Sequence, residues 1–392
     1  MKVAITADLH LSARHFSGDF EQDKFSKNIQ GLPKNQQNRW LVFREIVNFC
    51  LDHKIKHLIC AGDLLEEPDS AAIISRVIAG ARQVNFYFIC GNHDYFLSQK
   101  LFPSLPNLFV FDKPAIVEIG SRIFAFLPYQ EAEPLIKSFM ELKPKIPEDK
   151  DVVLVSHSDI ASDKDYSKSA DCENKKMYFP LTKKDLQIIS PLAVFLGHIH
   201  QPQVNPVFQK VFYCTSPCAL DHTEIGLRKF LLADFNASLP KVEFVHLKQG
   251  FVFYEFEIFV FAKDEEEVIK TQAESIINKM FEDLGAGTKA GILAERAVLS
   301  IKVKGATSQG IPFVEDVVKA ALGERVFKLF LDVSGLAVGR GAAVLEKIEQ
   351  HAKAIFSADF KHYKNRQVYG LSGDLTSEIM QRACREVVRC LK

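Results

Sequence analysis

The chain lacks several features that would mark a secreted, membrane-bound or zinc-ribbon protein. No apolar run approaches the roughly 20 residues that a transmembrane helix needs, so no membrane partner is expected. The eight cysteines are scattered, and no two of them form the CxxC pair of a zinc ribbon or a thioredoxin-type site. The first residues, MKVAITADLH, lack the order of a secretory signal and are typical of a strand. We therefore expect a cytoplasmic protein.

An excess of charge of one sign is also missing. Lys and Arg total 49 and Asp and Glu total 49, so the formal net charge is zero. The whole-chain basic signature of a nucleic-acid-binding protein is absent, although the local field of a cleft can still attract DNA. At 392 residues the chain is too long for one typical core, and its length suggests two or three domains.

What the chain does contain is a series of short apolar runs that each end in polar residues. Such runs are typical of buried parallel strands, and segments with helical spacing separate them. Alternating strands and helices predict an α/β sheet covered by helices, with right-handed crossovers. After about residue 248 the pattern changes to a small α+β module, and beyond residue 337 it changes to amphipathic helices. We therefore expect domains at 1–248 and 249–337 and a helical segment at 338–392.

Five of the predicted strand ends carry side chains that can bind metals. They are Asp8 and His10; Asp63; Asn92 with His93 and Asp94; His157; and His198 and His200. Carboxyl ends of parallel strands meet at the edge of the sheet where ligands bind in open α/β proteins. A carboxylate there, such as that of Asp63, is costly to bury unless it is paired or binds a metal. Each motif alone has an ordinary structural explanation, but their joint order favours a metal site.

The ligand chemistry narrows the choice of ion. Imidazole together with carboxylate suits manganese, iron or zinc. Two such ions about 3.5–4 Å apart can clamp a phosphoryl group, lower the pKa of a bridging water that serves as the nucleophile, and neutralise the developing charge. The sequence therefore indicates a hydrolase with two divalent ions, most suitably Mn²⁺.

The order D-x-H, G-D, G-N-H-D, H and G-H-x-H resembles that of the calcineurin-like metallophosphoesterases over residues 1 to about 235. Within this superfamily the chain is most similar to the SbcD-type nuclease subunit of a DNA break-repair complex. The segments that carry this similarity are ADLHLS at 7–12, AGDLLEEPDS at 61–70 and TSPCALDHTE at 215–224. The resemblance implies a four-layer α/β sandwich, with the α+β module as a capping domain and a C-terminal helical tail.

The resemblance also implies a role for each site residue. One ion would be held by Asp8, His10, Asp63 and His200, and the other by Asp63, Asn92, His157 and His198. His93 would not bind metal; it would face the phosphate and stabilise charge or protonate the leaving oxygen. Asp94 would orient His93 through a hydrogen bond, as general acids usually require. The alternative for His93 is an ordinary turn histidine.

Two features depart from the family pattern. Some of its nucleases have a histidine three residues after the bridging aspartate, where this chain has Glu66. A carboxylate beside the ions should repel an approaching phosphate and weaken processive exonuclease action relative to endonuclease action. The loop at residues 11–38 also looks longer than the family's usual connection. Both features border the expected site, so the preference among DNA substrates stays open.

We expect a metal-dependent phosphodiesterase that acts on DNA ends in break repair, as an exonuclease or endonuclease. One alternative is a metallophosphoesterase for a small phosphoester or nucleotide, and another is a non-enzymatic scaffold with the same fold. The expected partners are DNA and an SbcC-type ATPase, with a homodimer as a further alternative. Amphipathic helices near 342–356 and 375–391 would bind the ATPase or, equally well, pack on the capping module.

Overall fold

The structure is a computed structural model that describes residues 1–13, 37–131, 133–161, 178–200, 210–220, 223–260, 265–285 and 292–338. Most of the 11–38 loop and both predicted C-terminal helices lie outside these residues. The chain divides into a first unit, Met1–Val252, and a second unit, Phe253–Lys392. No helix in the described part of the chain is long and apolar enough to cross a membrane. The predicted domain boundaries stay predictions.

The first unit contains thirteen described strands. In chain order they are β1 (Lys2–Thr6), β2 (His57–Ala61), β3 (Asn85–Ile89), β4 (Leu108–Phe111), β5 (Ala115–Ile119), β6 (Arg122–Leu127), β7 (Val152–His157), β8 (Ile160–Ala161), β9 (Leu181–Thr182), β10 (Ala193–Gly197), β11 (Val211–Tyr213), β12 (Lys229–Asp234) and β13 (Lys241–His246). A six-stranded sheet has the order β13-β12-β1-β2-β3-β4, and a five-stranded sheet has the order β11-β10-β7-β6-β5. The short strands β8 and β9 pair with each other.

The described helices of the first unit are α1 (Gln37–Asp52), α2 (Ala71–Gly80), α3 (Leu135–Leu142) and α4 (Lys183–Ile189). In α1 the apolar residues recur at helical spacing, and Trp40 and Phe43 are buried against the six-stranded sheet. In α3, Leu135 and Phe139 are four residues apart and pack on the five-stranded sheet. The helices therefore cover the outer faces of the two sheets.

A central apolar core lies between the two sheets. Successive side chains of a strand point to opposite faces, so Val3 and Ile5 of β1 enter this central core while Ala4 faces the helices. Phe126 of β6 and Phe195 of β10 meet them from the other sheet. These strands are buried on both faces, as their continuous apolar runs predicted. The predicted four-layer helix–sheet–sheet–helix sandwich is confirmed.

The direction of the strands determines where the polar residues gather. Strands β1 to β4 are mutually parallel, and so are β6, β7, β10 and β11. The predicted ligands lie at or just beyond the carboxyl ends of β1, β2, β3, β7 and β10. In both the six-stranded and the five-stranded sheet, the polar residues therefore gather at the end where the parallel strands finish, as the sequence indicated.

The second unit is a small α+β module in its described part. Its sheet has the order β14-β15-β16, formed by Val252–Val260, Ala297–Thr307 and Lys328–Val338. Strands β15 and β16 are parallel, with an irregularity between Lys302 and Lys304. Helices α5 (Glu265–Leu284) and α7 (Ile311–Leu322) pack on each other, and α6 is the short helix Ile292–Arg296. The mixed α/β composition matches the sequence prediction.

Candidate metal centre

The first segment of the site follows β1 directly. Asp8 and His10 have positive φ angles of +50° and +43°, so the chain bends at both residues instead of continuing as a strand. The N–H group of Asp8 donates to the carbonyl of Gly62 at 3.0 Å, and that of His10 donates to the carbonyl of Asp63 at 2.9 Å. These bonds attach the segment after β1 to the segment after β2.

Asp63 lies at the centre of the site and is 1% exposed. Its Oδ1 accepts the N–H of His93 at 2.9 Å, while its Oδ2 lies 3.3 Å from Nε2 of His157 and 3.7 Å from Nε2 of His10. A Cβ atom at Gly91 would overlap the Asp63 carboxylate, so only glycine fits at this position. The carboxylate of Asp63 thus lies between the two predicted groups of ligands.

One group of ligand atoms converges on the amide oxygen of Asn92. Nε2 of His157 lies 2.9 Å from this oxygen and Nδ1 of His198 lies 3.1 Å from it. Oδ2 of Asp63 completes the group through its 3.3 Å separation from His157. The second predicted ligand set is therefore brought together in space.

The other group contains Asp8, His10 and His200, whose possible ligand atoms all lie within 4.8 Å of one another. The rings of His10 and His200 have centroids 5.5 Å apart and meet edge to face. With the nearby Asp63, these residues match the first predicted ligand set. Asp8 also lies near the second group, because Asp8, Asp63 and His157 form a further cluster of possible ligands.

Each of the four predicted histidine ligands has its other ring nitrogen close to an oxygen acceptor. The pairs are His10 Nδ1 with Glu66 Oε1 at 2.5 Å, His200 Nδ1 with Glu224 Oε1 at 2.7 Å, His157 Nδ1 with the Ala61 carbonyl at 2.9 Å, and His198 Nε2 with Asp159 Oδ1 at 3.4 Å. Such outer partners fix the ring orientation and tautomer of metal-binding histidines. They are part of the site as much as the ligands.

Sequence reasoning missed two of these partners, Glu224 and Asp159. Asp159 stands only two residues after His157, and this proximity in the sequence is the signal that could have suggested it. Glu224 is the last residue of the TSPCALDHTE segment, but nothing in that segment by itself indicates that it reaches His200. Both contacts depend on how separate segments fold back onto the strand ends.

His93 and Asp94 take different positions. The His93 side chain is 52% exposed, and its ring lies 5.0 Å from that of His10. Asp94 is fully buried and accepts backbone N–H groups: Oδ1 from Gly91 at 2.6 Å, and Oδ2 from Leu64 at 2.8 Å. Asp94 therefore ties together the turns after β2 and β3.

The predicted hydrogen bond between Asp94 and His93 is not found in the structure. Adjacent side chains in this turn diverge, one into the protein and one towards solvent. The His93 ring instead lies near Glu66, whose Oε1 is 3.9 Å from Nδ1 of His93. Glu66 thus lies between His10 and His93, and its proximity to substrate stays a prediction.

The sequence profile of the calcineurin-like phosphoesterases matches residues 1–202. The chain belongs to this family. The match ends just after His200 and covers all of the strand-end motifs. Membership indicates a metal-dependent phosphoester hydrolase. No curated protein sequence matches the chain at a significant level.

Three solved structures resemble the chain at low identity. A protein of Thermus thermophilus is 10% identical with a TM-score of 0.37, over 62% of this chain and 98% of that one. A dimetal phosphatase from Danio rerio is 10% identical with a TM-score of 0.34, over 62% and 95%. The phosphopantetheinyl hydrolase of Mycobacterium tuberculosis is 12% identical with a TM-score of 0.27, over 54% and 87%.

The residues present fit the divalent ions that the family uses. Two buried atoms, Oδ2 of Asp8 and Nε2 of His10, have no hydrogen-bond partner among the described residues. An unmet buried polar atom costs about 1–3 kcal/mol, and a cation held between these atoms would satisfy both. Because Nδ1 of His10 donates to Glu66, its Nε2 carries the lone pair that a metal ligand needs.

The buried carboxylates and imidazoles of the phosphoesterase site shift one another's pKa values. Burial disfavours a charged imidazole, yet the nearby carboxylates of Asp63 and Asp8 raise the pKa of His157 to about 9. Burial alone would raise the pKa of Asp63, but the charge of His157 holds it well below its ordinary range. Burial, followed by the charge of Asp63, raises the pKa of Asp94 to about 7. The site therefore has the charge pattern of a cation site.

We expect Mn²⁺ to bind more weakly as the pH falls below about 9, by about tenfold per pH unit, because His157 must lose its proton to bind metal. Isothermal titration calorimetry in two buffers of different ionisation enthalpy will count the protons released. The exposed His53 supplies the control, since His53→Asn should leave the proton count unchanged. Binding without proton release near pH 7 would contradict the prediction.

Proposed function

We propose that the protein is a two-metal phosphodiesterase that acts on DNA ends in break repair. The observation that carries the proposal is the position of His93 beside the ligand cluster. Asp8, His10, Asp63 and His157 are at most 1% exposed, whereas His93 is 52% exposed and its ring lies 5.0 Å from that of His10. An incoming phosphate therefore meets His93 at the entrance to buried ligands.

The chemistry divides between the ions and the chain. Divalent ions at this site supply positive charge for the phosphoryl group and a water of lowered pKa. His93 is placed to donate a proton or a hydrogen bond to an oxygen that gains charge as the ester bond breaks. Because this contact strengthens only in the transition state, it raises turnover more than substrate affinity.

The charge of Glu66 supports a diester over a monoester substrate. The hydrogen bond from His10 lowers the pKa of Glu66, so this carboxylate stays ionised. Its Oε1 is 3.9 Å from Nδ1 of His93, on the side where substrate would approach. A phosphomonoester carries a charge of about −1.5 to −2 near pH 7, whereas a diester carries only −1. Glu66 therefore repels the monoester more strongly.

Two further features support DNA as the substrate. TSPCALDHTE, one of the three segments that carry the similarity to SbcD-type nucleases, contributes Glu224, whose Oε1 lies 2.7 Å from Nδ1 of His200. Tyr95 follows the GNHD turn and is 81% exposed, which offers a surface for stacking on a base. In a scaffold that binds no metal, the buried, unpartnered atoms of Asp8 and His10 would only cost stability, which argues against that alternative.

The partners that we propose for this nuclease are DNA and an SbcC-type ATPase. Manganese is the ion that we propose, because the mixed His, Asp and Asn ligands are softer than those of a magnesium site. The similarity of the sequence to SbcD-type subunits supports the ATPase. A helical arm at 338–392 would be the contact, and a homodimer is the alternative assembly.

We expect the purified protein with Mn²⁺ to cleave linear and hairpin duplex DNA and to leave covalently closed circles intact. Ends are the substrate, so a closed circle of the same sequence is the matched control. Gel analysis of end-labelled fragments measures the cleavage. Faster hydrolysis of nucleoside monophosphates than of any DNA would favour the small-phosphoester alternative.

A second prediction concerns Glu66→Gln. Glutamine keeps an acceptor for His10 but removes the charge, so the ratio of phosphomonoesterase to phosphodiesterase kcat/KM should rise by roughly three- to tenfold, an electrostatic effect of about 1 kcal/mol. Chromogenic mono- and bis-nitrophenyl phosphates measure both activities. Glu67→Gln, at the exposed neighbouring position, should leave the ratio unchanged. An unchanged ratio in Glu66→Gln would show that its charge does not select the substrate.

A third prediction concerns His93→Ala. We expect kcat to fall by about 10²–10⁴-fold, the usual contribution of a general acid or base, while two ions per chain are retained. Single-turnover kinetics and elemental analysis measure the two quantities, with His53→Ala as a surface control. Loss of an ion in His93→Ala would make His93 a ligand and contradict its proposed role.

A further inference from the structure

The two histidines of the Asp8 group share a feature that the other pair lacks. His10 and His200 each direct Nδ1 at a glutamate, Glu66 at 2.5 Å and Glu224 at 2.7 Å. A carboxylate can only accept, so Nδ1 of each ring carries the proton. The lone pair of each imidazole is then on Nε2, the atom left over for a metal.

The histidines of the Asn92 group are supported differently. Nδ1 of His157 donates to the carbonyl of Ala61, a neutral acceptor. Nε2 of His198 lies 3.4 Å from Asp159, which is longer than the glutamate contacts of the other pair. This group also contains a neutral amide ligand, Asn92, where the first group has the carboxylate of Asp8.

Charge and hydrogen bonding therefore differ between the two sites. A carboxylate bonded to a histidine makes the ring a stronger ligand, and every nearby negative charge strengthens cation binding. We propose that Glu66 and Glu224 are positioning residues that make the site of Asp8, His10 and His200 the tighter of two unequal ion sites. The proposal rests on the two-ion chemistry of the proposed function but not on DNA as the substrate.

The two glutamates are anchored to different extents. Glu224 is 5% exposed, its Oε2 pairs with Arg228 at 3.0 Å, and its Oε1 also accepts the N–H of Leu220 at 3.2 Å. Removing it would leave a buried guanidinium without its partner, which is strongly destabilising. The side chain of Glu66 is 30% exposed and does not pair with an arginine among the described contacts. Substitutions at Glu66 therefore test the role with less risk to folding.

The experiment measures Mn²⁺ binding alone, by equilibrium dialysis over a buffered range of free Mn²⁺ with elemental analysis of the protein. We expect two classes of site in the wild type. In Glu66→Ala the tighter class should weaken by about 10–100-fold, the usual effect of removing such a partner, while the weaker class changes little. Glu66→Gln, which still accepts the Nδ1–H of His10 but lacks the charge, should have an affinity between those of the wild type and Glu66→Ala.

Asp159→Ala is the matched variant for the other site, and it should weaken only the weaker class. Electron paramagnetic resonance of bound Mn²⁺ gives a second readout, since the signal of a coupled pair should disappear when either class is empty. Circular dichroism of each metal-free variant checks that the fold is retained. Glu224→Gln repeats the test on His200 while keeping an acceptor for its ring.

Three results would overturn the proposal. The first is equal affinity of the two sites in the wild type. The second is a Glu66→Ala variant with unchanged Mn²⁺ binding. The third is a Glu66→Gln variant that binds Mn²⁺ as weakly as Glu66→Ala does. That result would show that Glu66 acts as a direct ligand or through its charge alone, and not by positioning His10. Each of these results concerns metal affinity, so the proposal can fail while DNA cleavage by the wild type stands.

Discussion

The candidate site is constrained above all by the burial of two carboxylates, those of Asp8 and Asp63. Both are at most 1% exposed, and an uncompensated buried charge is too costly for a fold to keep. The chain compensates with Nε2 of His157, 3.3 Å from Asp63, and with N–H groups that His93 and His198 donate to the two carboxylates. Oδ2 of Asp8 and Nε2 of His10 remain without a hydrogen-bond partner among the described residues. A divalent ion between them would satisfy both atoms.

Bringing these groups together requires backbone conformations that most side chains avoid. Asp8, His10, Asp63 and His198 all have positive φ, and such residues cost about 1–3 kcal/mol each. The surrounding hydrogen bonds offset part of this cost. His10 donates to the carbonyl of Asp63, Leu11 donates to that of Leu64, and Asp94 holds Leu64 from the other side. The strained residues thus lie at the carboxyl ends of β1, β2 and β10.

The sequence predicted strands correctly where a run of apolar residues is also buried in the structure. The strands buried on both faces were predicted from apolar runs, and because they are parallel, their terminal ligands had to meet at one edge. Strands β4 and β13 were missed. β13 alternates exposed and half-buried residues at one edge of its sheet, and β4 is a short apolar run at the other edge, where Phe109 is exposed. The two-residue strands β8 and β9 were missed as well.

The outer contacts of the site could not be predicted for a different reason. Glu224 is 24 residues from His200, and their contact depends on tertiary packing rather than on spacing. The Asp94–His93 hydrogen bond was expected from the family resemblance, but Asp94 is buried and accepts from Gly91 and Leu64 instead. Motifs therefore identified residues that gather at one site, while the partners that orient them depend on the fold.

Two buried arginines show how that orientation is maintained. Arg39 of α1 donates to the carbonyls of Leu9 and Cys218, so it connects the segment after β1 with the segment after His200. Arg228 donates to the carbonyl of His200 and pairs with Glu224. Each guanidinium satisfies main-chain carbonyls that a loop would otherwise leave unmet in a dry interior. Their positive charges also lie behind the acidic site, where they offset the repulsion among its carboxylates. The segments that carry the predicted ligands are therefore held in place by charged hydrogen bonds from within the chain.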